Sequence, residues 1–218
     1  MRYHDTVVLL ATRGLVFTQT IEYLLKNGLT NIILTHDLPI PEAQNWMVDH
    51  LNENWTYYGK PEYLFFIEED IVPPPHAYEM LREALEKDSQ AGIACIDYAL
   101  QGGQSTVQRS KETNDVLFCA LGCTLVKAEV FTEISKPYFR TDKALRANDL
   151  EWIDIPKNTL YGMLDVWFTW QVRQAGYKIV KVGGECTHLK VQEYAAPGTN
   201  DGCHTITTKG EVTHHMTL

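Results

Sequence analysis

Tyr63-Leu64-Phe65-Phe66-Ile67-Glu68-Glu69-Asp70-Ile71-Val72-Pro73-Pro74-Pro75 sets an apolar run directly against three acids, and the acids against three prolines. YLFFI shows no alternation, so both of its faces need cover, as in a strand inside a parallel sheet with helices on either side. The prolines cannot donate to a sheet ladder. They end the strand and favour the start of a helix, expected over about 76–87. In such sheets ligands collect at the carboxyl ends of the strands, and that is where Glu68, Glu69 and Asp70 fall. Three adjacent carboxylates repel unless something relieves them. An oxygen-seeking cation such as Mg²⁺ or Mn²⁺, bridging to a diphosphate, is one form of relief; a plain solvated acidic turn is the other.

Working outward, TVVLLA (6–11) and NIILT (31–35) are two more short apolar runs. Thr12-Arg13-Gly14 breaks the first, Thr18 is placed to cap a helix over 19–27, and Gly28 is placed to stop it. His36-Asp37, then Pro39 and Pro41, follow the second run, ahead of a helix over about 42–52. Strand–helix–strand–helix order predicts a parallel sheet with crossover helices. GIACID (92–97) is a further buried strand. Residues 100–114, rich in Gly, Gln, Ser and Thr, read as a mobile loop whose Arg109 and Lys111 are placed to close on phosphates. Residues 116–126 read as one apolar run around Gly122, 129–134 as a short helix, and 137–160 as irregular. A helix over 165–175 is stopped by Gly176, and KIVKV (178–182) is the last strand. Beyond about 191 periodicity is lost, so 191–218 reads as a tail or flap.

The chain has 218 residues, 44% hydrophobic and 22% charged, which excludes a disordered protein. Nineteen basic against 28 acidic side chains give 19 − 28 = −9, a poor balance for general binding to nucleic acid or an anionic membrane. No apolar run approaches the ~20 residues of a membrane helix, and Met-Arg-Tyr-His-Asp opens the chain without a cleavage pattern, so a soluble cytoplasmic location is expected. Five cysteines (95, 119, 123, 186 and 203) contain no C-x-x-C and read as reduced, buried thiols.

Two further features bear on chemistry. Asp165 opens a helix eight residues before Arg173, and Gly176-Tyr177-Lys178-Ile179 then turns into a strand. An acid there is either a cap or a working carboxylate. His188 follows the last strand in Thr-His-Leu-Lys, and is either structural or a ligand. Trp167 and Trp170, three apart on the helix, read as core.

Taken together, Glu68-Glu69-Asp70, the segment from Leu164-Asp165 to Arg173-Gln174-Ala175-Gly176-Tyr177-Lys178-Ile179, and His188 resemble the GT-A glycosyltransferases, in particular those of family 2. The resemblance covers about residues 6–190. It implies a single α/β domain with a Rossmann-like, mostly parallel sheet flanked by helices, its nucleotide-sugar half about 1–98 and its acceptor half about 99–190. It also implies a metal-dependent glycosyltransferase using Mn²⁺ or Mg²⁺ and a nucleoside-diphosphate sugar, with a UDP-sugar favoured. Glu68-Glu69-Asp70 stands at the D-x-D position, so Asp70 and His188 would hold the metal. Thr12, Arg13, Asp37, Glu68, Glu69 and Lys190 would face the nucleotide and its phosphates. Asp165 would be the base that takes a proton from a glycan or other hydroxyl acceptor in an inverting transfer. Leu164 stands where family 2 usually has Glu, which leaves a retaining transferase as an alternative. A non-catalytic sugar-nucleotide-binding module is another; a sugar nucleotidyltransferase ranks lower, since Ala11-Thr12-Arg13-Gly14 is poor in glycine for a phosphate loop.

Overall fold

The computed structural model describes residues 3–36, 38–100, 103–146, 151–154, 163–195, 202–208 and 211–216. The first half runs β1 (Thr6–Thr12), α1 (Thr18–Lys26), β2 (Ile32–His36), α2 (Ile40–Glu53), a short α3 (Trp55–Tyr58), β3 (Tyr63–Glu68), β4 (Ile71–Val72), α4 (Ala77–Lys87) and β5 (Ala91–Tyr98). The second half runs β6 (Val107–Arg109), β7 (Val116–Cys119), β8 (Cys123–Lys127), α5 (Val130–Glu133), β9 (Lys143–Arg146), β10 (Glu151–Asp154), α6 (Met163–Gln174), β11 (Lys178–His188), β12 (Lys190–Ala195), β13 (Gly202–Thr208) and β14 (Glu211–Met216).

Seven strands form the main sheet in the order β2-β1-β3-β8-β5-β11-β4. β2, β1 and β3 are parallel, β8 is antiparallel between β3 and β5, β11 is parallel to β5, and β4 closes the edge antiparallel to β11. Five of the seven strands therefore point one way, so the sheet is mostly parallel. Side chains alternate between the two faces of each strand, and the two faces build two cores. Val7, Leu9, Leu64 and Phe66 pack with Met47, Val48 and Leu51 of α2 and Leu164, Phe168 and Val172 of α6. Val8, Leu10, Phe65 and Ile67 pack with Tyr23 and Leu24 of α1 and Tyr78, Leu81 and Leu85 of α4. Three layers result, and they explain why the strands read as unbroken apolar runs. No helix among the described residues is long and apolar enough to cross a membrane.

The structure departs from the sequence reading at several points. Thr18 is the first helical residue of α1 rather than its cap; Phe17 caps by its carbonyl, which accepts from Thr20 and Ile21. The run 116–126 is two strands, because the chain turns at Gly122 to lay β8 between β3 and β5. Part of 100–114 is a paired hairpin: β6 lies antiparallel to β7, and the Arg109 guanidinium donates to the Asn114 carbonyl at 2.8 Å instead of facing phosphate. The irregular stretch 137–160 contains the β9–β10 hairpin. Trp167 and Trp170 lie outside both cores and cluster with Trp152, with ring centroids 5.0 to 5.6 Å apart. In the stretch read as an aperiodic tail, β12, β13 and β14 form an antiparallel sheet of their own. Cys95, Cys119, Cys123 and Cys186 are free and buried.

β11 is longer than KIVKV predicts. Between Lys181 and Glu185 it advances four residues while β5 advances two, from Cys95 to Asp97. The extra length is a bulge at Gly183-Gly184, and Gly184 takes φ +88, a value side chains avoid. The strand then continues to His188, which pairs with Ile71 of β4.

Candidate active site at the carboxyl edge of the sheet

Strand pairing sets which side chains share a face. Glu68 lies beside Ala11, and Ala11 beside Thr35. Glu68 follows Leu64 and Phe66 in the alternation, so it faces the layer of α2 and α6. Asp165 sits in the first turn of α6, between Leu164 and Val166, with Leu164 and Phe168 in the same core. The two carboxyls therefore come together above one core. Burial pushes Glu68 up to about 7 and Asp70 adds to it, against the pull of His188, Tyr98 and Arg13. Burial also raises Asp165 well above the ordinary carboxylate range, and the charge of Glu68 adds to that. The α6 dipole favours an anion at Asp165, but desolvation outweighs it. Leu164 is buried in the core, so that position serves packing.

The acidic turn is held from two sides. Phe17 N–H and the buried Thr20 hydroxyl donate to the Glu69 carbonyl, both at 3.1 Å, and Thr20 also donates to the Ile71 carbonyl at 3.0 Å. On the other side Leu189 N–H donates to the Asp70 carbonyl at 2.8 Å. Asp70 Oδ2 faces His188 Nε2 at 3.4 Å. His188 Nδ1 lies 3.1 Å from the Ala99 carbonyl, which can only accept, so Nδ1 carries the hydrogen and Nε2 is the atom turned to Asp70. The bond with Asp70 raises the imidazole pKa against the opposing effect of burial.

Arg13 engages both carboxylate oxygens of Glu69. Glu69 Oε2 accepts from Arg13 N–H at 2.6 Å, and Oε1 accepts from Arg13 Nε. Thr12 shapes the same loop: its hydroxyl donates to the Leu15 carbonyl at 2.5 Å and accepts from Gly14 N–H at 3.1 Å. Asp37 and the Lys190 side chain lie outside the described residues.

Sequence reasoning missed Tyr98. Its hydroxyl donates to Glu68 Oε2 at 3.3 Å, and its ring meets the His188 ring edge-on at 5.4 Å. The signal was available: the phenol stands at the carboxyl end of the GIACID strand. In sequence Gly122 is only a glycine inside an apolar run, yet its main chain lies against the Tyr98 ring.

Among solved structures, A197 from STIV aligns with a TM-score of 0.62 at 16% identity, over 100% of this chain and 97% of that one. GalNAc-T7, in a structure with UDP, GalNAc and Mn²⁺, aligns with a TM-score of 0.52 at 12% identity, over 84% of this chain and 43% of that one. The fold is GT-A-like. No protein-family model matches the chain. No curated protein sequence matches it either.

A GT-A-like fold implies a divalent ion at the acidic turn, and the donor set here suits one. Two ligands on adjacent corners of an octahedral shell stand about 3 Å apart, close to the Asp70–His188 separation. A carboxylate oxygen and an imidazole whose other nitrogen is already hydrogen-bonded form a usual pair for such an ion. Among the described residues no group of three His, Cys, Asp or Glu side chains is placed to hold a metal.

Proposed function

We propose that the protein is a metal-dependent glycosyltransferase that moves a sugar from a nucleoside-diphosphate sugar, with a UDP-sugar favoured, to a hydroxyl acceptor with inversion. The observation that carries this reading is one edge of one sheet bearing an Asp70–His188 pair together with the half-buried carboxyls of Glu68 and Asp165. The presence of UDP, GalNAc and Mn²⁺ in the GalNAc-T7 structure supports the same reading. A divalent ion, when bound, neutralises charge that develops on the departing diphosphate. Asp70 and His188 hold it. Arg13, with its side chain 76% exposed at the end of β1, offers a second cation to the phosphates. Asp165 takes the acceptor proton, and its raised pKa makes it a stronger base than an exposed carboxylate. Tyr98 fixes Glu68 and packs against His188, so it positions both without touching substrate.

Calorimetry of UDP with and without Mn²⁺ tests the reading. UDP is expected to bind at least about tenfold tighter with the ion, as its charge compensation on the diphosphate requires. Asp70→Asn and His188→Ala should each erase that difference. Equal UDP affinity in both conditions would remove the metal from the proposal, and absence of UDP binding with Mn²⁺ present would remove the nucleotide.

A further inference from the structure

We infer that Arg13 is a built-in counter-cation: it holds Asp70 when no metal is bound, yields that oxygen to a divalent ion, and passes to the diphosphate. The inference rests on the proposed function for the divalent ion and for the diphosphate; the Arg13–Asp70 contact stands by itself.

Two side chains converge on one atom, and Arg13 brings a fixed positive charge to it. Arg13 Nη2 stands 3.5 Å from Asp70 Oδ2, and His188 Nε2 stands 3.4 Å from the same oxygen. An ion bridging Asp70 Oδ2 and His188 Nε2 would sit against the Arg13 guanidinium, and the repulsion between them has to be relieved by movement. Arg13 is free to move without being lost. Its second hold, the pair of bonds from N–H and Nε to Glu69, does not involve Asp70. The Glu69 main chain is in turn pinned by Phe17 and Thr20. The guanidinium is planar and rigid, so leaving Asp70 also gives up the Nε bond to Glu69, while the Arg13 main-chain N–H bond to Glu69 Oε2 keeps the residue's root in place.

The arrangement also accounts for how Glu68, Glu69 and Asp70 stay folded side by side. Arg13 supplies positive charge to Glu69 and Asp70, so the turn holds together without a metal. A metal arriving alone competes with Arg13. A metal arriving with a diphosphate gives Arg13 another anion to bind, and a planar guanidinium suits phosphate oxygens. Metal and nucleotide should then favour each other's binding, with equal coupling in both directions.

The experiment compares Arg13→Gln with the wild type. By calorimetry, or from the paramagnetic resonance signal of free Mn²⁺, R13Q is expected to bind Mn²⁺ alone about tenfold tighter, the scale of one removed like charge at this range. UDP, at saturating Mn²⁺, should bind R13Q about tenfold weaker. Opposite signs in the two readouts are the signature. Arg13→Gln combined with Asp70→Asn should lose the gain in Mn²⁺ affinity. If R13Q binds Mn²⁺ no tighter than wild type, or if both affinities fall together as with a merely structural arginine, the inference is overturned. If wild type fails to bind UDP with Mn²⁺ at all, the nucleotide reading falls, and the Mn²⁺-alone comparison still decides the role of Arg13. Should R13Q fold poorly without metal, recovery of folding on adding Mn²⁺ supports the inference, and indifference to Mn²⁺ overturns it.

Discussion

Asp165→Asn lowers sugar transfer by about 10²-fold or more and raises thermal stability at neutral pH. The loss of rate is the usual scale for removing a general base. The gain in stability follows from linkage. A carboxyl whose pKa is raised on folding holds its proton more tightly in the folded state than in the unfolded one. Folding stability therefore falls as pH rises from the ordinary carboxylate range towards the raised pKa, and at neutral pH that cost is present. Asparagine keeps the shape and carries no charge to desolvate, so the cost disappears. The same shift sets the pH profile. Asp165 has to be ionised to act as a base, so wild-type turnover rises with pH through a midpoint above the ordinary carboxylate range, and the residual activity of Asp165→Asn loses that limb. Initial rates with a UDP-sugar across pH, alongside thermal melts of both proteins, read all three effects. Near-normal turnover in Asp165→Asn, or product with retained anomeric configuration, would leave Asp165 as an acceptor-positioning residue.

Gly122→Ala is expected to destabilise the fold by about 1–3 kcal/mol, the range for overpacking a tight interior. A Cβ at Gly122 would lie 2.6 Å from the Tyr98 hydroxyl oxygen and 2.7 Å from two ring carbons, closer than real contacts allow. Tyr98 is 2% exposed, and its rigid ring has no room to retreat. The ring also touches His188 and bonds Glu68, so the strain reaches the site as well as the core. The urea midpoint should fall in Gly122→Ala. The double variant with Tyr98→Leu should cost less than the sum of the single changes, because the clash and the ring vanish together. A wild-type midpoint for Gly122→Ala would show that the ring shifts freely.

The main sheet was legible because β1, β3 and β5 are covered on both faces, while β2 at the edge leaves Leu34 exposed. TVVLLA, NIILT, YLFFI and GIACID carry no polar alternation, and the structure places all four in the central sheet. The acidic turn was legible because three acids end the apolar run and prolines follow soon after. The approach of Asp165 to Glu68 was not, since it depends on α6 and β3 presenting their residues to the same core, and tertiary packing decides that. The 103–119 hairpin was hidden by its polar composition: it is anchored by Asp97, whose carboxylate accepts from Ser105, Thr106 and Lys181 rather than by apolar burial. Trp167 and Trp170 misled for a related reason. Their helical spacing fits burial, but they stack on one another and under Arg140, whose guanidinium lies 5.2 Å from the Trp167 ring centroid. Gly183-Gly184 looked like the end of a strand because the local pattern breaks there, whereas pairing with β5 resumes beyond it.

That glycine pair makes chain length, rather than residue chemistry, a condition of the site. β11 gains two residues over β5 between Lys181 and Glu185, and two is an even number, so the strand keeps its facing and His188 arrives on the side of Asp70. Removing one residue leaves an odd surplus, which turns every later side chain over and carries His188 away from the acidic turn. Replacing Gly183 is far milder, because a Cβ there meets nothing within 4 Å. Between the last apolar strand and its histidine, Gly183 can therefore be replaced, Gly184 is held by its positive φ, and length can change only in steps of two.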